Sequence, residues 1–362
     1  MSEDRNSAGK QNISLIIFLM AVLCSLYVLV MAWLNENKPV VTAEMEQPDL
    51  PVETDRDGHV NQYSITELTM SRSDGISGAF CVPLPAGIRP GNVFTENRYI
   101  DRELWIYVQD GETDFYKENE LYGDVSPILG GYCQGREDGV LLKLEMEGVM
   151  EYRSTLEGNV LTVTYSEPHE LYDFLVVLDP VGGGSELGIS GYGISEKELA
   201  LEVAQQAQKS FSMSNVRLYL TRTEDMEVSE QTRMDFVEAV DADLYIRIGA
   251  QADAENPDAY GVLSYYNEEY FIPGFGNVDL ADIVTRQVTI ASSNRAVGIA
   301  PAPEESILHG IRIPAVELSL GYLSNLKEEF LLEQEAYRQK LSEGILNAVS
   351  EACERLEQLR EE

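Results

Sequence analysis

Four charged side chains stand in or just after short apolar runs: Asp179, Glu196, Arg247 and Glu317. Carboxylates at strand ends can ligate a metal, act as a general base or hold a cation. Histidine is scarce. The chain has three, His59, His169 and His309, and none stands beside these carboxylates in sequence. No Ser-His-Asp or Cys-His arrangement is present. The glycine run Gly182-Gly183-Gly184 follows Asp179, Pro180 and Val181, but it lacks GxGxxG and no Lys-Ser/Thr follows it, so it is no nucleotide signature.

The elements that must carry these residues are legible. Phe174 to Leu178 is a short apolar run, the pattern of a buried parallel strand. Glycines then mark a turn at its carboxyl end, where open α/β sheets hold ligands. Ser195 and Glu198 have capping-box spacing, so a helix is predicted to start there. Further strands are predicted at Val216–Leu220, Asp243–Ile248, Gly261–Tyr265 and Pro314–Leu320. Helices are predicted after Ser229, over Asn277–Ser292 and over Gln334–Leu356, the last with Leu341, Ile345, Val349, Ala352 and Leu356 as its apolar stripe. This alternation predicts an α/β fold over 172–356, a mainly parallel twisted sheet with flanking helices.

These residues support a named resemblance. The segment 174–350 resembles the zinc-dependent N-acetylmuramoyl-L-alanine amidases, cell-wall hydrolases of the Amidase_3 type. It does so through VVLDP with its glycine run, Gly193 to Lys197, LTRTED at 220–225, Arg233, GVLSYY, and PAVELSLGYLSN at 314–325. The resemblance implies a zinc site and places its parts. The first ligand, a histidine after the strand-end aspartate, falls on Gly182. The second, a glutamate before a lysine, falls on Glu196. The third, a histidine at a strand end, falls on Gly249, with Gln251 just beyond. The catalytic glutamate falls on Ser319.

The chain therefore departs from the family at two of three ligands and at the catalytic carboxylate. Glycine has no side chain to coordinate, and a hydrolytic zinc normally needs three protein ligands and an open position. No cofactor is expected; zinc belongs to an alternative reading in which the site is rebuilt from His309, Glu196 and Glu317. Arg247 and Glu317 each lie two residues before a replaced position, and residues two apart on a strand share a face. Arg247 is expected either to pair with Glu196 or Glu317 where the metal's charge once lay, or to face solvent or a helix unrelated to the site. Thr221, Arg222 and Arg233 have structural explanations: capping, local pairing, and a tie from a helix to an acidic loop.

Composition frames the rest. Formal net charge is −36 over 362 residues, which excludes a general nucleic-acid binder. Ile13 to Leu34 is uncharged for 22 residues and long enough to span a bilayer, with Trp33 at one end. It reads as an uncleaved signal anchor after a cytoplasmic tail, 1–12. Arg5 and Lys10 before it favour the amino terminus inside and the bulk of the chain outside. An acidic, proline-bearing linker follows over 35–57. Residues 58–170 read as a small mostly-β accessory domain. Its clearest strands are Tyr63–Met70, Glu103–Val108, Val140–Met146 and Val160–Tyr165. Its aromatics Tyr99, Trp105, Tyr107, Tyr116 and Tyr122 suit a sheet core better than a carbohydrate surface. Of four cysteines, Cys24 lies in the apolar span and Cys353 on a helix; Cys81 and Cys133 either form a disulfide or are separate buried thiols.

The expected function is that of a membrane-anchored, single-pass bacterial envelope protein, an amidase-like pseudoenzyme. It would bind peptidoglycan stem peptides in a residual groove near Asp179, Gly182, Glu196, Arg247, Gly249, Gln251, Glu317 and Ser319, or scaffold and regulate envelope proteins. One alternative is an active amidase cleaving the MurNAc–L-Ala amide with Glu317 as substitute base. Another is a purely structural envelope component.

Overall fold

The computed structural model describes residues 64–361, Asp74 excepted. The expected membrane span, the linker and His59 lie outside the described residues. The chain divides into two compact units: the described residues to Arg98 with Arg102–Glu147 and Glu151–Tyr165, and then Tyr99–Asp101, Gly148–Met150 and everything from Ser166.

The first unit is mostly β, as its alternating runs predict. Its strands are β1 (Ile65–Glu67), β2 (Met70–Arg72), β3 (Ala79–Pro83), β4 (Val93–Arg98), β5 (Glu103–Gln109), β6 (Leu121–Gly123), β7 (Ile128–Arg136), β8 (Gly139–Met146), β9 (Glu151–Glu157) and β10 (Val160–Ser166), with a single helical turn α1 (Phe115–Glu118). They form two five-stranded sheets, ordered β1-β7-β8-β5-β4 and β2-β6-β3-β10-β9. The Tyr63–Met70 expectation resolves into β1 and the start of β2, one strand in each sheet. On β5 the buried residues Leu104, Ile106 and Val108 alternate with half-buried Trp105 and Tyr107. Tyr116 is core, but Trp105 is not: the Lys143 ammonium lies 3.9 Å from its ring centroid. The disulfide alternative is corrected. Cys81 on β3 and Cys133 on β7 are free and buried, in different sheets. Cys81 Sγ lies 3.8 Å from the Thr162 hydroxyl, and burial pushes the Cys133 thiol up to about 12.

The second unit is the predicted α/β layer structure. A turn, α2 (Pro168–Leu171), leads into β11 (Phe174–Pro180), every residue of which is buried. Then come α3 (Glu196–Ser210), β12 (Val216–Leu220), α4 (Glu230–Val240), β13 (Leu244–Gln251), β14 (Val262–Tyr266), α5 (Asn277–Ser292), β15 (Ala296–Pro301), β16 (Ala315–Tyr322), α6 (Leu326–Leu332) and α7 (Glu335–Glu361). The capping box at α3 is present, with Ser195 N–H donating to the Glu198 carboxylate at 3.0 Å. The sheet runs β12-β11-β13-β16-β14-β15. It is parallel except that β14 pairs antiparallel with β16. β15 was not anticipated: Gly298 and Pro301 interrupt its apolar run, and as an edge strand it keeps Val297 exposed.

Alternation along the strands sorts side chains to two faces. Val176, Leu178, Ile246, Ile248, Val316 and Leu318 pack against α3, α5 and α7 through Leu199, Val203, Leu280, Val284, Leu341 and Ile345. Leu175, Val177, Tyr245 and Ala315 face α4 through Phe236, Val237 and Val240. Register aligns Asp179 with Arg247 and Arg247 with Glu317 at the carboxyl ends of β11, β13 and β16. These groups therefore share a row on the α4 face.

Candidate functional site

Asp179 is the hub of the strand ends. It is fully buried. Thr221 and Arg233 Nη1 donate to its Oδ1, and Tyr245 donates its hydroxyl proton to Oδ2. Arg247 Nη1 reaches Oδ2 at 3.5 Å. Burial alone would raise the carboxyl's pKa; Arg233 and Arg247, with the Thr221 and Tyr245 bonds, outweigh it and hold the group below the usual range. Ion-paired buried carboxylates of this kind are costly unless every lone pair is used, and here both oxygens are.

Arg233 and a further arginine, Arg222, hold the glycine loop. Arg233, on α4, donates to the carbonyls of Val228 at 3.1 Å, Pro180 at 3.0 Å and Gly182 at 2.7 Å. Arg222, just after β12, donates to Pro180 at 3.1 Å and to Val181 and Lys197, both at 2.8 Å. Burial, aided by Arg233, lowers the Arg222 guanidinium to about 10. The loop itself depends on glycine. Gly182 has φ +68°, and a Cβ there would stand 2.7 Å from the Glu186 carbonyl oxygen. Lys197 secures the loop's far side, reaching the Gly184 carbonyl at 2.8 Å and pairing with Asp225 at 2.8 Å.

Glu196 opens α3 and reaches across to β13. Its Oε1 accepts from Ala250 N–H at 2.7 Å and its Oε2 from Ile189 N–H at 2.8 Å. It leans over Gly249, where a Cβ would stand 2.7 Å from Oε1. On the next strand, Glu317 is half-buried and lies 3.6 Å from Arg247 Nε. Burial raises the Glu317 pKa, Glu196, Asp179 and Glu230 add to the rise, and Arg247 opposes it. Arg247 also pairs with Glu230 at 3.5 Å. Burial opposes its charge, yet Asp179 and Glu317 among its neighbours outweigh that and hold it firmly protonated. Ser319, opposite Gly249 and 2 % exposed, has a buried hydroxyl with no hydrogen-bond partner.

The profile of the N-acetylmuramoyl-L-alanine amidase family matches residues 176–351. These residues carry an amidase-family domain. LytH of Staphylococcus aureus, a probable cell wall amidase, is 29% identical over 187 residues, 51% of this chain and 60% of LytH. The chain thus matches less than two thirds of that relative's length. Among solved structures, an N-acetylmuramoyl-L-alanine amidase from Clostridium difficile 630 aligns with TM-score 0.47 and 24% identity over 50% of this chain and 97% of its own. The catalytic domain of CwlV from Bacillus (Paenibacillus) polymyxa var. colistinus aligns with TM-score 0.46 and 23% identity, over 50% and 98%.

The amidase-family domain does not offer the donor set that the family resemblance implies for zinc. Two expected ligand positions are glycines, and both oxygens of Glu196 already accept backbone protons. Among the described residues no group of three His, Cys, Asp or Glu side chains is placed to hold a metal ion. The rebuilt set of His309, Glu196 and Glu317 is not assembled: His309 instead bonds the Pro303 carbonyl at 3.0 Å and lies 4.0 Å from Glu269. His169 bonds the Asp241 carbonyl at 2.9 Å.

Of the expected groove residues, Asp179, Arg247 and Glu317 meet in one row. Glu196, Gly249 and Ser319 meet beside it. Gln251 follows a register shift in β13 and contributes its carbonyl to Leu323 N–H at 2.7 Å. Arg247 pairs with Glu317, one of its two expected partners. Sequence reasoning missed Tyr245, although it lies two residues before Arg247 and so shares its face. It also missed Glu328, buried on α6, which accepts from Gly261 N–H at 2.9 Å and Tyr322 N–H at 2.8 Å. No pattern flags a buried glutamate beyond its place one turn after the Asn325 cap.

Proposed function

We propose that this chain is a non-hydrolytic, wall-binding relative of the amidases, an envelope protein held at the outer face of the cell membrane by residues 13–34. One observation carries the reading. Where the family resemblance places two zinc histidines and the catalytic glutamate, the chain has Gly182, Gly249 and Ser319, and the neighbouring carboxylate Glu317 is matched with Arg247. A guanidinium can offset a carboxylate's charge but cannot generate hydroxide from water as a metal does. The remaining framework supports a groove at the strand ends, the place where open α/β sheets bind ligands.

The test uses the purified full chain, dialysed against trace zinc, then subjected to elemental analysis and to assay on purified peptidoglycan. Near-zero zinc, no released peptide and retention of the chain on cell wall are expected. One tightly held zinc per chain with hydrolysis would overturn the reading in favour of an active amidase. Inertness without retention would favour a purely structural role.

A further inference from the structure

Helix α6 has its polarity reversed. Of its seven residues Glu328, Glu329 and Leu332 are buried, while Leu326 is 62 % and Phe330 63 % exposed. A surface helix ordinarily turns its apolar stripe to the core. Here the inward glutamates act as staples. Glu328 accepts from Gly261 N–H at 2.9 Å and Tyr322 N–H at 2.8 Å. Glu329 accepts from Gly193 N–H at 2.7 Å and from Tyr192 N–H. The loop after β11 is thereby fastened along α6, with Tyr192 itself 83 % exposed. At the start of α6, Asn325 donates its side-chain amide to the Ala259 carbonyl at 3.1 Å, and Ser324 accepts from Asp253 N–H at 2.9 Å. These two bonds fasten the acidic segment 252–261 there.

The result is an apolar surface on a fixed backbone. Leu326 and Phe330 are four residues apart on a helix and so share a face. Tyr192 stands on the loop pinned to Glu329, the residue before Phe330. Single exposed apolar residues are ordinary, but a group of them marks a contact surface. A backbone already ordered has less freedom to lose on association.

Charge decides what can cover this surface. The segments 185–195, 252–261 and 324–335, which meet at α6, hold eight Asp or Glu and one basic residue, Lys327. A second copy of the chain, with net charge −36, would bring like charge to like. So would the chain's own linker 35–57, which has seven acidic residues and two basic ones. A cationic partner is attracted where both of these are repelled. We propose that the outward face of α6, with Tyr192, docks a protein whose contact surface sets apolar side chains among lysines or arginines. This goes beyond the wall-binding reading and uses a surface outside the row of Asp179, Arg247 and Glu317.

The test uses the full chain in phosphatidylcholine nanodiscs, free of detergent and of net lipid charge. Three fluorescein-labelled helical peptides are titrated by anisotropy: one with leucines along one face and lysines elsewhere, one with those lysines replaced by glutamates, and one with those leucines replaced by serines. The first is expected to bind saturably and at least about tenfold more tightly than either of the others. Leu326→Ser and Phe330→Ser alter exposed side chains, and each variant is checked for an unchanged unfolding midpoint. Each should weaken the first peptide about tenfold and leave retention on purified cell wall unchanged. No binding, equal binding of the leucine and serine peptides, or binding unaltered by both substitutions would overturn the proposal. Loss of wall retention in the variants would overturn it in favour of a wall ligand on this face. Self-association in sedimentation velocity that Phe330→Ser abolishes would overturn it in favour of a second copy.

Discussion

Asp179 and Glu317 lie in one cross-strand row and share Arg247 between them, yet they differ in burial and in hydrogen bonding. Asp179 is fully buried, uses both oxygens and is held ionised by Arg233 and Arg247. Glu317 is half-buried, meets Arg247 at 3.6 Å without a hydrogen bond, and is pushed toward its neutral form. The first arrangement fixes the strand ends to the glycine loop. The second leaves a carboxylate partly exposed, with only a long ion pair to Arg247. Whether its polar atoms are satisfied thus separates one carboxylate from the other, although a single strand, β13, lies between them.

That comparison can be broken or sharpened by substitution. The largest effect is expected from Asp179→Ala, which leaves Arg233 buried and without its carboxylate; loss of one partner from a buried pair costs about 3–5 kcal/mol. Urea unfolding of the full chain measures it, and a loss under about 1 kcal/mol would show that the carbonyl bonds of Arg233 suffice without Asp179. Gly249→Ala should cost less. Its methyl would push Glu196 Oε1 off Ala250 N–H, a charge-assisted bond worth about 1.5–3 kcal/mol. The carboxylate's remaining bond to Ile189 should keep the loss near the lower figure, read from the same unfolding curves.

The smallest effect, and the one of opposite sign, is expected from Glu317→Gln. The folded carboxyl's pKa is raised above that of the unfolded chain, about 4.3. Below that pH both states hold the proton, and the variant gains nothing. As pH rises past it the unfolded state ionises first, so the wild-type chain pays a penalty that levels off above the folded pKa. The variant should therefore be more stable by about 0.5 kcal/mol at pH 8 and equal at pH 4. A variant less stable at pH 8 would mean that the Arg247 contact outweighs burial.

The sequence disclosed the layers of the second unit because period-2 and period-3.6 patterns are written in side-chain type. Phe174–Leu178, Val216–Leu220 and Asn277–Ser292 lie where they were expected. The glycines at 182 and 249, where the family resemblance places ligands, are read directly from the sequence. The Asp179 hub was not. Its partners come from the residue after β12, from α4 and from β13, at sequence separations of 42, 54 and 66 residues, and only the tertiary fold brings them together. The edge strand β15 was hidden for a different reason: it buries little, so it carries little hydrophobic pattern.

The backbone at Gly182 limits what can be substituted there. With φ at +68° and the Glu186 carbonyl 2.7 Å from where a Cβ would stand, the loop has settled into a shape that a histidine can enter only under strain. A histidine introduced at that point would clash with the main chain at its own Cβ. The glycine and the course of the loop hold each other in place, so a designer placing a side chain at 182 would have to graft the loop as a whole and not the single residue.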